Sequence, residues 1–242
     1  MKEEEKMLLI TADPHGDIRE LVWKVIEQHK LSHVNLLICG DCGVGFGRPG
    51  SINHLYNRIK KKLEKYDLTI YSIRGNHDNP EYFDGKHNFD RLKFLEDYKT
   101  VEINGLKILP IGGAVSKDQA ERISWNAKME KYGSSKRCWW PDEKVKELDE
   151  EEFKLLPAKV DLIISHSAPI SFLPVYSRTE DISLEVWNDI VKERNYLEKI
   201  KDNIWFKYWF FGHYHKSVSG NFGDALYRGL SIMELYEFRA YE

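Results

Sequence analysis

The apolar and polar positions divide the chain into two halves with different rhythms. Met7 to Ile10 and Asn35 to Cys39 are short, continuously apolar runs, as expected of strands covered on both faces. Between them, Asp17 to Ile26 places apolar residues at helical spacing, with Asp17 in position to cap. Gly50 to Tyr66 predicts a second helix with a Lys-rich outer face, and Leu68 to Ile73 a third strand. This β-α-β-α-β order predicts a parallel sheet with right-handed crossovers.

Beyond residue 98 the rhythm changes. Lys99 to Ile103 and Leu106 to Ile111 flank Asn104-Gly105, a hairpin signal. Ala114 to Pro141 has no clear period and holds Trp125, Trp139 and Trp140, so a long functional loop or an irregular insertion is expected there. A helix is expected from Asp142 to about Leu156, its acidic stretch Glu147 to Glu152 facing solvent. Val160 to Ile164 predicts a strand, Asp181 to Ile200 a helix, Lys207 to Phe211 a strand, and Ala225 to Arg239 alternates. No repeat, low-complexity tract or linker interrupts residues 1–242, so one α/β domain is expected.

Composition narrows the class. The chain has 242 residues, with 36 Lys+Arg against 39 Asp+Glu and a formal charge of −3. That balance argues against an obligate binder of phosphate backbones, and 42 % hydrophobic residues argue against disorder. A chain of this length buries roughly 70–75 % of its unfolded surface, so a metal is not needed merely for folding. The acidic start, Met1 to Lys6, and the lack of any long apolar run point to a cytoplasmic protein with no membrane span. Three cysteines make no disulfide framework. Cys39 and Cys42 have redox-motif spacing, but only Cys138 remains to extend a thiolate site, so they read as buried strand-end thiols.

The chemistry concentrates where the predicted strands end. Asp13-Pro14-His15, Gly40-Asp41, Gly75-Asn76-His77-Asp78, Ser165-His166 and Gly212-His213-Tyr214-His215 each follow a different strand, the edge at which open α/β sheets hold ligands. Five of the nine histidines, two carboxylates and an asparagine are N and O donors suited to Mn²⁺, Fe, Zn²⁺, Co²⁺ or Ni²⁺. Eight such groups exceed the needs of one ion, and a carboxylate shared between two ions would use the surplus. His29, His33, His54 and His87 show no partner pattern and are expected to face solvent.

These five ordered blocks resemble those of the calcineurin-like metallophosphoesterase superfamily over residues about 7 to 216, and Ile111 to Asp118, with Arg122 and Trp139-Trp140-Pro141-Asp142, resembles segments of its uncharacterised bacterial and phage members. The resemblance implies a four-layer αββα sandwich of two mixed sheets flanked by helices. It implies two divalent cations, Mn²⁺ foremost, held by Asp13, His15, Asp41 and His215 on one side and Asn76, His166 and His213 on the other, Asp41 bridging. It further implies hydrolysis of a phosphomonoester or phosphodiester by a metal-bridging hydroxide. His77 would then serve the leaving oxygen, oriented by Asp78.

Two departures narrow the substrate. Protein serine/threonine phosphatases of this superfamily extend the second block as Gly-Asp-x-x-Asp-Arg-Gly; here Val44 and Gly45 stand at the Asp and Arg positions. Arg48 or Arg122 is the candidate replacement cation. The tryptophans of the 114–141 stretch are expected either to stack a nucleobase as a lid or to cover the core's edge. A small phosphorylated substrate or nucleotide is therefore the expected partner. A metal-dependent nuclease is the alternative, disfavoured by the missing positive charge, and a protein phosphatase or a non-catalytic scaffold fits less well.

Overall fold

The computed structural model describes residues 6–46, 50–174, 178–179 and 181–239. Its strands form two mixed sheets. In the first, the order is β11-β1-β2-β3-β4, where β1 is Met7–Thr11, β2 Val34–Ile38, β3 Leu68–Ser72, β4 Leu92–Phe94 and β11 Tyr236–Phe238. Strands β1 to β4 run parallel, and β11 adds antiparallel to β1. The second sheet has the order β5-β6-β7-β8-β10-β9, with β5 Val101–Ile103, β6 Leu106–Ile111, β7 Leu162–Ser165, β8 Tyr208–Phe211, β9 Val218–Phe222 and β10 Ala225–Gly229.

Alternation along buried strands builds the layers. Leu8, Ile10 and Leu37 of the first sheet meet Ile108, Leu162, Ile164 and Phe210 of the second in one apolar cluster. Their neighbours Leu9, Leu36 and Ile38 point the other way, onto helices α1 (Ile18–Trp23) and α2 (Ser51–Lys65). Likewise Leu109, Ile111, Ile163, Trp209 and Phe211 pack on α5 (Leu184–Asn203) through Leu197 and Ile200. Because successive side chains leave a strand on opposite faces, a continuous apolar run serves two cores at once. The result is the expected helix-sheet-sheet-helix arrangement.

Several boundaries differ from expectation, each for a local reason. Asp17 makes no side-chain cap, and α1 continues into a wider π turn over Lys24–Gln28. β4 is only three residues long and left no period to read. Helix α3, Gln119–Lys131, occupies the middle of the stretch expected to be irregular; it buries no residue fully and so carries no apolar stripe.

The helix expected from Asp142 shrinks to α4, Glu150–Lys154, which begins with a capping box between Asp149 and Glu152. Upstream, buried side chains claim the backbone instead. Arg74 takes the carbonyls of Asp142, Glu143 and Lys144 at 2.8–3.0 Å. The Val145 N–H donates to Glu193 at 3.1 Å and the Leu148 N–H to the Tyr196 hydroxyl at 2.9 Å. Tertiary hydrogen bonds satisfy these groups without a helix. No helix among the described residues is long and apolar enough to cross a membrane.

Candidate metal centre

The five strand-end segments converge because their strands are neighbours. β1, β2 and β3 adjoin in one sheet and β7 and β8 in the other. Asp13 and His15 follow β1, Asp41 follows β2, Asn76 and His77 follow β3, His166 follows β7, and His213 and His215 follow β8. Asp13, His15, Asp41, His213 and His215 all have positive φ, between 45° and 67°. Such backbone is costly for residues with a Cβ and persists where the surroundings over-determine it.

The glycines of the blocks have a steric reason. A Cβ on Gly75 would lie 2.1 Å from Asp41 Oδ1, and one on Gly40 would lie 2.3 Å from His166 Nδ1. Both residues give up a side chain so that a donor group can occupy that volume.

Within the site the donors fall into three groups whose ligand atoms lie within 4.8 Å of one another: Asp13, His15 and His215; His15, Asp41 and His77; and Asp13, Asp41 and His166. His15 Nε2 and His215 Nε2 are 3.1 Å apart. Asp41 uses both oxygens, Oδ1 3.2 Å from His166 Nε2 and Oδ2 3.6 Å from His15 Nδ1. Asn76 Oδ1 faces His166 Nε2 at 3.0 Å and His213 Nδ1 at 3.2 Å. The seven expected ligand residues therefore share one site.

Asn76 is held by partners that sequence reasoning did not single out. Its Nδ2 donates to Ser116 Oγ at 2.9 Å, and that hydroxyl donates to Glu143 Oε2 at 2.6 Å. With its NH₂ so engaged, the amide presents its oxygen to the site. Glu143 is fully buried, and burial pushes its carboxyl up to about 7 despite its hydrogen bonds with Ser116. A glutamate at the start of what reads as a solvent-facing helix gives no sequence signal of this role.

The electrostatics fit cations. Burial, with Asp41 and Asp78 adding repulsion, pushes the Asp13 carboxyl up to about 7, against the pull of His166 and the His213 N–H. Asp41 lies well below the ordinary carboxylate range: burial opposes this, but His166, His77 and His15 outweigh it. His166 is the counterpart, raised to about 9 by Asp41 and Asp13 in spite of burial. Burial lowers His15, His213 and His215 toward the neutral imidazole that ligates metals. Two deeply buried carboxylates, three imidazoles held neutral, His166 and an amide oxygen make a multidentate N/O set, from which a bound cation would displace the His166 proton. Cys39 and Cys42 add nothing to it, since burial pushes both thiols up.

His77 and Asp78 stand apart from each other chemically. Asp78 is fully buried and accepts the N–H groups of Gly75 at 2.8 Å, Val44 at 2.8 Å and Cys42 at 3.2 Å. It thereby ties the second block to the third and makes no hydrogen bond with His77, contrary to the expectation that it orients that ring. Arg122 of α3 does so instead, its Nη2 donating to His77 Nε2 at 2.6 Å. Arg122 Nε donates to Asp118 at 2.8 Å, while Nη1 is buried without a partner among the described residues. Although His77 Nε2 is 3.9 Å from Asp41 Oδ2, the guanidinium on that nitrogen disfavours a metal there. Phe46 stacks on the His77 ring, the centroids 5.5 Å apart.

The remaining expectations resolve as follows. Arg48 lies outside the described residues. His33 and His87 are not partnerless: they contact Asp67 at 2.7 Å and Asp84 at 3.0 Å. Trp140 is buried, 6.4 Å from Phe46, and Trp125 is half-buried.

Residues 7–217 match the model of the calcineurin-like phosphoesterase family. In fold, the chain is similar to the protein TT1561 of Thermus thermophilus, with a TM-score of 0.50, 12 % identity, and coverage of 95 % of this chain and 91 % of that one. A phosphopantetheinyl hydrolase of Mycobacterium tuberculosis aligns at 0.46 and 11 % identity, covering 95 % and 90 %. A putative 5′-nucleotidase of Staphylococcus aureus aligns at 0.41 and 14 %, covering 95 % and 49 %. No curated protein matches the chain in sequence.

Proposed function

We propose that this chain, which belongs to the calcineurin-like phosphoesterase family and is a phosphoric ester hydrolase, uses two divalent cations, Mn²⁺ foremost, to cleave a small phosphomonoester or phosphodiester. The observation that carries this reading is the position of Asp41. Its two oxygens face different histidines, and its carboxylate belongs to two of the three ligand groups. A carboxylate so placed can serve two ions at once.

Asp13, His15, Asp41 and His215 would hold one cation, and Asp41, Asn76, His166 and His213 the other. Bound there, the pair supplies Lewis acidity toward the phosphoryl oxygens and an acidified water as the nucleophile. The protein's own groups do the rest. Ser116 and Glu143 keep the Asn76 oxygen turned inward, and Asp78 fixes the 42–44 turn against Gly75. His77 faces the leaving oxygen, and Arg122 both orients that ring and offers its unpartnered Nη1 to the phosphoryl group.

Val44, at the position where protein phosphatases carry an acid, is buried in the apolar core, which supports a small-molecule substrate over a phosphoprotein. The near-neutral charge likewise favours it over nucleic acid. A Mn²⁺-dependent panel of p-nitrophenyl phosphate, its bis ester, cyclic nucleotides and single-stranded DNA tests the reading. Hydrolysis of a small ester is expected, the mono and bis esters separating phosphatase from phosphodiesterase. Cleavage of DNA alone would favour the nuclease, and no turnover with any divalent metal would overturn the reading.

A further inference from the structure

Beside the metal centre lies a cavity of about 540 Å³, between α3, the 134–140 loop, the turn after β2 and the turn after β3. It is not part of the ligand cluster, yet one chain of ring contacts and two near neighbours in sequence connect it to the catalytic end. Trp140 lines it and packs toward Phe46, which stacks on His77. Gly45, the residue before Phe46, forms part of its wall. Asn126 lines it from α3 one helical turn beyond Arg122, and residues four apart share a helix face. Phe46 and Trp140 thus link His77 to this cavity.

We propose that the cavity is the leaving-group subsite, and that the ester cleaved is of nucleotide type, its leaving alcohol carrying a ring and a second anionic group. This rests on the phosphoesterase reading of the metal centre and specifies its substrate. The volume suits such a group, since ligand pockets run from about 300 to 1,000 Å³. Lys136 and Arg137 line the cavity and neither forms an ion pair among the described residues, so two cations are available to an anion. Trp140 and Tyr82 supply aromatic surface for a planar ring. The cavity also carries the carboxylates of Glu81 and Glu130. Mixed charge of this kind disfavours a bare polyanion and suits a molecule with one anionic group and several hydroxyl donors, as a nucleotide has.

The test compares adenosine 3′,5′-bisphosphate with adenosine 5′-monophosphate as Mn²⁺-dependent substrates. Whichever ester of the bisphosphate is cut, its leaving group keeps a phosphate, whereas the monophosphate releases an uncharged nucleoside. The native enzyme is expected to favour the bisphosphate in kcat/KM by about tenfold or more, and the Lys136→Ala/Arg137→Ala variant to lose about that factor, chiefly through KM. Lys136 is half-buried and Arg137 exposed, so the substitutions spare the core. Calorimetric titration of adenosine 3′,5′-bisphosphate into the EDTA-treated protein reads the same subsite without turnover. Weaker binding by the variant supports the proposal. Equal affinity, or a substrate ratio unchanged by the two substitutions, overturns it while leaving the metal centre intact; absence of turnover with every ester alongside retained binding would instead overturn the phosphoesterase reading.

Discussion

The strand-end loops and the segment from Ser116 to Val145 meet at the same site but are built by opposite rules. The loops are short, bury Asp13, Asp41, Asn76 and His166, leave His15 and His215 open to solvent, and hold five donor residues in left-handed backbone. Their positions follow from strand order, and their glycines exist because neighbouring donors fill the space. The 116–145 segment contains a helix that buries no residue fully, and it touches the site through single side chains: Ser116 on Asn76, Arg122 on His77, Trp140 toward Phe46. One region supplies the donors; the other orients one of them, Asn76, and adds a cation, a bond to His77 and a cavity. Metal binding and substrate contact are therefore divided between the two regions, and substitutions should divide the same way.

The greatest loss is expected at the shared carboxylate. Asp41→Asn should lower activity with p-nitrophenyl phosphate by about a thousandfold or more and reduce bound metal in parallel, measured by plasma mass spectrometry. Metal retained at the native level would remove Asp41 from the loops' donor set. His77→Ala should keep its metal and lose about 100- to 1,000-fold in kcat. Metal loss there would make His77 a ligand after all.

Arg122→Ala probes the other region. It should keep the metal and lower kcat/KM by about 100-fold, since it removes both a phosphoryl contact and the orienting bond on His77. An effect within twofold would reduce the segment to a cover over the core.

A subtler consequence concerns Glu143 and is read in stability. Burial holds its carboxyl at about 7 against an ordinary 4.5, so the folded protein binds that proton more tightly than the unfolded chain. Its contribution is complete below about pH 4.5 and is lost as pH rises through about 7. Relative to Glu143→Gln, which cannot titrate, the EDTA-treated native protein should lose at most about 3 kcal/mol of unfolding free energy across that window. Parallel pH profiles for the two proteins would show that Glu143 is not raised.

The same contrast explains what could be read from the sequence. Runs such as Leu36-Leu37-Ile38 declare a buried strand, and donors following each run declare their place at the strand's end, so the gathering of Asp13, Asp41 and His166 was legible in the residues, while the two-sheet arrangement was implied only by the family resemblance. Residues 142–148 misled because their backbone partners, Arg74, Glu193 and Tyr196, come from distant parts of the chain. Helix α3 hid because it rests on the protein without an apolar face. Asp78 was placed correctly beside His77 in sequence, yet its carboxylate turns to three backbone N–H groups, a choice made by the fold of the second block and invisible in the motif.

The proposed chemistry depends above all on the Asp41 carboxylate organising a two-ion centre for phosphoester hydrolysis. Equilibrium dialysis of the EDTA-treated protein against rising Mn²⁺, with bound metal and p-nitrophenyl phosphate turnover read on the same samples, puts that dependence to the test. Two ions per chain, with activity rising as the second site fills, is the expected outcome. Saturation at one ion or none, or activity that is complete before the second ion binds, would refute it.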